Sequence, residues 1–196
     1  MIAIVDYGAG NLRSIKRALE SHGVEATITG DPSAISAADR VVLPGVGNAK
    51  AAMDQLHATG IADAVVEQAE KGTPLLGVCL GMQLLFGEQE EGPTTGLGIL
   101  PGTVVLLPAD HKIPHMGWNT VAFTSHSPLA GADPAAFYFV HSYEVRPESS
   151  DVVAGETEYG HRFASMVIRD NVWGTQFHPE KSQHAGLNLL CAWLNS

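Results

Sequence analysis

Basic residues and cysteines are scarce in this chain, and long apolar runs are absent. Eleven lysines and arginines stand against 21 aspartates and glutamates over 196 residues, a formal net charge of −10. A phosphate backbone is bound by a basic surface, and no run of five basic residues occurs anywhere, so a nucleic-acid partner is not expected. The two cysteines, Cys79 and Cys191, lie 112 positions apart. Such a pair makes no disulfide framework, and a reducing, cytoplasmic setting is expected. No apolar stretch approaches the roughly 18–20 residues of a spanning helix. The opening MIAIVDYGAGN is apolar for five residues only before Asp6 and has none of the marks of a secretory leader. No membrane partner is expected. Neither a Gly-x-x-x-x-Gly-Lys phosphate loop nor a metal-ligand spacing is present, and DYGAGN has two of the three glycines of a dinucleotide fingerprint. No metal and no cofactor are expected.

What is present is a globular composition, 45% hydrophobic and 16% charged, in a length that suits one well-buried domain, residues 1–196. The first half alternates short continuous apolar runs with helical patterns. IAIVD (2–6), VEATIT (24–29), RVVLPG (40–45) and TPLLGV (73–78) read as strands, the continuous runs as strands buried on both faces. Between them, Leu12, Ile15, Ala18 and Leu19 recur three and four apart behind a capping Asn11, and Gly23 stops that helix. Weaker helices are expected over 49–57 and 61–70, and LGMQLLF (80–86) reads as another. This β-α-β-α rhythm predicts an α/β fold with a parallel sheet and helices on both faces, with ligands beyond the carboxyl ends of the strands. From 99 to 178 the runs TVVLL, WNTVAF, AFYFVHSYEV, DVVAGE, FASMVI and VWGTQF predict additional antiparallel strands in the C-terminal half. SQHAGLNLLCAWLNS closes the chain as a helix with Leu187, Leu190, Cys191 and Leu194 on one face, which makes Cys191 a small core residue.

GVCLG (77–81) has the form of a nucleophile elbow. Small residues at 77 and 81 allow a strand and a helix to close around a strained Cys79. The helix start favours a thiolate there, and the Leu80 N–H faces the place where an oxyanion would form. A buried cysteine in a tight turn, or the exposed elbow cysteine of a redox sensor, has the same five residues. A thiol nucleophile needs a base, and QFHPEK (176–181) offers His178 with Glu180 two residues on. In an extended segment those two side chains share a face, and the carboxylate can fix the imidazole tautomer. A redox sensor has no need of that pair. LPGVGN (43–48) is a Pro-Gly-x-Gly turn after a buried strand. Gly45, Val46 and Gly47 offer backbone N–H groups to whatever lies above the sheet.

PGVG, GVCLGMQ and FHPEK, in this order, resemble the class I (triad) glutamine amidotransferases, with Cys79, His178 and Glu180 matching the family's catalytic pattern. DYGAGNLRS, GLGILPG, PHMGWN and YFVHSYE narrow the resemblance to the branch whose members feed ammonia to a (β/α)8-barrel cyclase subunit in histidine biosynthesis. The similarity runs from residue 2 to 194. It implies a flavodoxin-like fold, a mostly parallel central sheet with flanking helices. It implies glutamine hydrolysis through a glutamyl thioester, and a heterodimer with the cyclase subunit. It also implies that Gly47, Gln83, Glu91, His141, Ser142 and Tyr143 hold the glutamine. The loop Asp6–Arg13, with Asn11 and Arg13, and Trp118, Tyr138 and Lys181 are the expected partner contacts. The glycines of the PGVG loop permit a peptide rotation, so the Val46–Gly47 N–H is expected to turn toward the oxyanion only when the partner binds.

Overall fold

Four segments in the first half form parallel strands, three of them covered on both faces. They are β1 (Ile2–Val5), β2 (Ala26–Thr29), β3 (Arg40–Gly45) and β4 (Leu75–Cys79). The computed structural model describes residues 1–92, 94–131 and 134–196. Alternate residues of β1, β3 and β4 enter different cores. Ala3, Val5, Val41, Leu43 and Leu75 pack on one side of the sheet against α2 (Pro32–Ser36), α3 (Ala49–Ala58) and α4 (Ile61–Glu70). Ile2, Ile4, Val42, Leu76 and Val78 pack on the other against α1 (Leu12–Glu20) and the last helix of the chain, Gln183–Leu194. In α1 the inward residues are Ile15, Ala18 and Leu19, the three-and-four spacing seen in the sequence. The Asp31 carboxylate caps α2 by accepting the Ser33 N–H at 2.9 Å, with Pro32 in its first turn. Asn48 caps α3 in the same way, accepting from Ala51 at 3.1 Å.

A five-residue α5 (Leu80–Leu84) follows β4, and the chain then returns to extended structure. The remaining strands are β5 (Phe86–Gln89), β6 (Thr94–Thr95), β7 (Leu100–Leu106), β8 (His115–Phe123), β9 (Ala135–His141), β10 (Tyr143–Pro147), β11 (Val153–Glu158), β12 (Arg162–Arg169) and β13 (Val172–Thr175). The chain ends in α6 (Gln183–Leu194). The sheet runs β2-β1-β3-β4-β13-β12-β10-β7-β5-β6, with β11 pairing β12 and carrying the β8–β9 hairpin beside it. Its first five strands have the 2-1-3-4-5 order of flavodoxin-like folds, in which ligands sit beyond the carboxyl ends of the strands.

Four expectations need correction. VWGTQF is not part of the antiparallel set alone: β13 pairs parallel with β4 and antiparallel with β12, so it is the seam between the two halves of the sheet. AFYFVHSYEV is two strands, β9 and β10, parted at Ser142, and they lie in different parts of the sheet. LGMQLLF is helical only to Leu84, because the Phe86 segment pairs with β7 instead. Cys191 is exposed. The inward face of α6 is Gly186, Leu189, Leu190 and Trp193, and burying the large Trp193 ring, which the Arg40 guanidinium approaches at 5.6 Å, turns Cys191 outward.

Candidate active site

β4 delivers Cys79 to the carboxyl edge of the sheet in a backbone conformation that L-residues rarely adopt, φ 57° and ψ −113°. The strain is held by close packing on both sides. A Cβ on Gly77 would come within 2.8 Å of the Gly81 carbonyl oxygen, and a Cβ on Gly81 would overlap the Leu43 carbonyl outright. Only glycine fits at either place, so the elbow expected of GVCLG is present. The thiol is 6% exposed and donates toward the Val140 carbonyl at 3.7 Å.

His178 follows β13 and opens a 3-10 turn, Pro179–Lys181. That turn, rather than an extended strand, brings Glu180 back onto the ring. Nδ1 meets the Glu180 Oε1 at 2.9 Å, and both side chains are buried, 2% and 0% exposed. A carboxylate accepts, so Nδ1 carries the hydrogen and Nε2 faces the Cys79 side without any hydrogen-bond partner. Burial by itself works against the charged ring. The neighbouring Cys79 and the hydrogen-bonded Glu180 carboxylate outweigh it and raise His178 to about 9. Asn11 makes no side-chain cap on α1; its amide donates instead to Glu180 Oε1 at 3.4 Å.

A cavity of about 370 Å3 opens in front of the thiol. Val46, Gly47, Cys79, Leu80, Gln83, Glu91, His141, Ser142 and Tyr143 all line it, with Pro114 and Val140. Every residue expected to hold glutamine is therefore on one wall system with Cys79. Gln83 gives its amide hydrogens to the Tyr143 carbonyl and to Gln176 Oε1, both at 3.0 Å, which leaves its carbonyl oxygen for a substrate donor. One oxygen of Glu91 accepts the Ala49 N–H at 2.7 Å, tying the cavity rim to the start of α3. Gly45 does not line the cavity. A Cβ there would stand 2.7 Å from the Tyr7 hydroxyl and 2.8 Å from the Gly81 nitrogen, so Gly45 serves close packing behind the loop. Gly47 has φ 95° with nothing within 4 Å of a Cβ, an open loop in a glycine conformation.

Three residues that the sequence did not single out complete the site. Gln176, fully buried, donates to Cys79 Sγ at 3.8 Å. Ser182, also buried, donates to the His178 carbonyl at 2.6 Å and accepts the Tyr138 N–H at 3.0 Å. Tyr7 holds its hydroxyl under the loop without a partner, and burial, then the Cys79 charge, pushes its phenol up. The only available signal was a polar residue inside an apolar run, as Gln176 is in VWGTQF. Trp118, Tyr138 and Lys181 meet on the outside of β8 and β9. Trp118 is 51% exposed, its ring 6.2 Å from Tyr138, and the Lys181 ammonium lies 5.7 Å from the Tyr138 ring. Arg13 is exposed on α1, and Asn11 turns inward as described. A second cavity, about 320 Å3, lies at the amino ends of β4 and β13 beside Asn171 and holds none of the expected residues. Among the described residues no cluster of His, Cys, Asp and Glu suits a metal ion, and no helix is long and apolar enough to cross a membrane.

The family model of class-I glutamine amidotransferases matches residues 3–191. The chain is 54% identical to the imidazole glycerol phosphate synthase subunit HisH of Methanopyrus kandleri, over 96% of this chain and 94% of that one. It is 49% identical to the subunit HisH of Syntrophotalea carbinolica, over 97% of both. Its fold superposes on a solved glutamine amidotransferase with a TM-score of 0.80 at 22% identity, covering 99% of this chain and 97% of that one. The chain belongs to the class-I glutamine amidotransferases, in the family of imidazole glycerol phosphate synthase HisH subunits.

Proposed function

We propose that the chain hydrolyses glutamine to glutamate and ammonia with Cys79 as nucleophile, His178 as acid and base, and Glu180 as the group that orients His178. The observation that carries this reading is the single cavity in which Cys79 stands beside Gln83, Glu91, His141, Ser142 and Tyr143, with the His178–Glu180 pair behind the sulfur. The thiolate attacks the side-chain amide carbon of glutamine, and the carbonyl oxygen takes the negative charge. The Leu80 N–H, at the start of α5, and the Val46–Gly47 peptide, both on the cavity wall, are the donors assigned to that oxygen. His178 gives its Nε2 proton to the departing nitrogen, the C–N bond breaks, and ammonia leaves a glutamyl thioester. Water then adds to the thioester while Nε2 takes its proton. The C–S bond breaks, glutamate is released, and the thiolate is restored. Each step uses Nε2, and Glu180 holds Nδ1 so that Nε2 is the free position.

The ammonia goes to a (β/α)8-barrel cyclase subunit, which makes imidazole glycerol phosphate and an aminoimidazole-carboxamide ribonucleotide (AICAR) from the ribonucleotide intermediate PRFAR in histidine biosynthesis. The likeness to HisH subunits over nearly the whole chain supports this partner. The patch of Trp118, Tyr138 and Lys181 is the surface suited to it, an exposed aromatic pair with a cation on its face. Asn11 and Arg13 extend the contact along the loop after β1. Glutamate release is the test, measured for the chain alone and then with the cyclase subunit and its nucleotide substrate. Strong stimulation, abolished by Cys79→Ala, is expected. High turnover that ignores the cyclase would keep the glutaminase chemistry and exclude that partner.

A further inference from the structure

We propose that His115 is a positioning residue for the glutamine pocket: it locks His141 in one neutral tautomer and so fixes the Tyr143 carbonyl that anchors Gln83. The inference rests on the glutaminase reading and adds a residue outside the cavity lining to it.

The juxtaposition is a consequence of strand register. His115 and His141 are directly opposed partners in the antiparallel β8–β9 pair, so both rings leave the sheet on the same face. Asn119 lies four residues along β8 from His115 and shares that face. The result is a continuous chain of hydrogen bonds. The Asn119 amide reaches His115 Nε2 at 3.2 Å, His115 Nδ1 meets His141 Nε2 at 2.8 Å, and His141 Nδ1 meets the Tyr143 carbonyl at 2.8 Å. Both rings are buried, and His115 is sandwiched between Tyr159 and Phe139, with ring centroids 4.0 and 4.7 Å away.

The direction of that chain is fixed from both ends. The Asn119 oxygen already accepts the Thr120 N–H at 2.8 Å, so its nitrogen faces His115 and donates. At the other end a carbonyl can only accept. His115 must then accept at Nε2 and donate from Nδ1, and His141 must do the same. An extra proton on either ring would set two N–H donors against each other. Burial favours the neutral rings for its own reason. It lowers His115 to about 4 and, with smaller contributions from His115 and His178, lowers His141 to about 3.

The end of the chain is where it bears on substrate. The Tyr143 carbonyl accepts from His141 and from Gln83, which uses both of its lone pairs. With the other tautomer of His141, a ring lone pair would face that carbonyl. Ser142, Tyr143 and Gln83, three of the residues lining the cavity, would lose their common anchor. Neutral rings here also leave His178 as the one cationic imidazole at the thiol.

The test has two readouts on the full chain. Nitrogen-15 spectra of histidine-labelled protein report tautomers with no reference to turnover. His115 and His141 are both expected as Nδ1–H forms. His115→Leu is expected to release His141 from that form and to raise KM for glutamine roughly tenfold, the scale of one lost buried hydrogen bond, with kcat changed less than about twofold. His115→Asn, which keeps a donor at the Nδ1 position, is expected to restore both. The proposal is overturned if His141 is an Nε2–H tautomer in the native chain, or if His115→Leu leaves KM unchanged. It is equally overturned if Asn and Leu at 115 raise KM alike, since a packing role alone would do that. A native chain with the expected tautomers and no glutamine turnover, alone or with the cyclase, would sink the glutaminase reading and leave the hydrogen-bond relay standing.

Discussion

The carbonyl of Tyr138 accepts the backbone N–H of His178 at 2.9 Å, an isolated bridge between β9 and the segment that carries the His178–Glu180 pair. Ser182 closes the same junction, joining the Tyr138 N–H to the His178 carbonyl. His178 is therefore held through its main chain by the strand that presents the exposed aromatic patch. Ser182→Ala should strand a buried N–H and lower unfolding free energy by about 1–3 kcal/mol. It should also lower kcat more than it raises KM, because the base moves while the glutamine wall stays. Denaturant unfolding and steady-state kinetics measure the two effects. Unchanged stability would mean that the junction closes without the hydroxyl.

Trp118 stands 51% exposed at the centre of that patch. An aromatic that becomes fully buried against a partner is the kind of residue that dominates an interface. Trp118→Ala is expected to weaken cyclase binding by at least about 2 kcal/mol, roughly 30-fold in Kd. Stability and unstimulated turnover should be nearly unaffected. Titration calorimetry against the cyclase subunit decides it, and an unchanged Kd would move the interface elsewhere on the surface.

What was legible in the sequence was what depends on local pattern. The glycines at 77 and 81 and the His178–Glu180 spacing act within a few residues, and the folded chain shows both. What was hidden depends on which segments meet. Nothing in VWGTQF says that it pairs parallel with β4, because parallel and antiparallel strands share one period. Gln176 and Ser182 acquire roles only through that pairing. Cys191 shows the limit of helical periodicity when apolar residues surround a helix. Leu187, Leu190 and Leu194 suggested one face, and Trp193 took the neighbouring one inward.

The pH dependence follows from the charge on His178. Its ring is raised from 6.5 to about 9, burial being outweighed by Cys79 and Glu180. A raised folded value means that its contribution to stability is complete below about 6.5 and is lost as the pH passes about 9. In the proposed mechanism the imidazolium is also the acid that protonates the leaving nitrogen, so kcat/KM should fall along an alkaline limb near pH 9. Glu180→Gln removes one of the two groups that hold the charge. The limb should move to lower pH, with turnover down on the order of 10²-fold or more. A profile that keeps its alkaline limb in place after Glu180→Gln would assign the limb to another group.

Gly47 gives the sharpest test of a loop that switches. Its φ of 95° suits glycine and penalises any residue with a Cβ, by about 1–2 kcal/mol. The space around it is empty, so an added methyl group meets nothing and the penalty is conformational alone. Turning the Val46–Gly47 peptide over carries φ of residue 47 to the negative side, where alanine sits without strain. Gly47→Ala therefore favours the turned peptide over the conformation present in the chain alone. If the turned peptide is the one that offers its N–H to the oxyanion, unstimulated glutamate release should rise up to about tenfold. Stimulation by the cyclase should shrink by the same factor, since the partner would have less left to shift. A fall in unstimulated release would show the opposite, that the left-handed conformation already points the N–H at the oxyanion and the partner acts elsewhere. Gly47→Pro removes the N–H in either conformation, and stimulated turnover should then be lost by the roughly 10²–10³-fold that one oxyanion donor contributes.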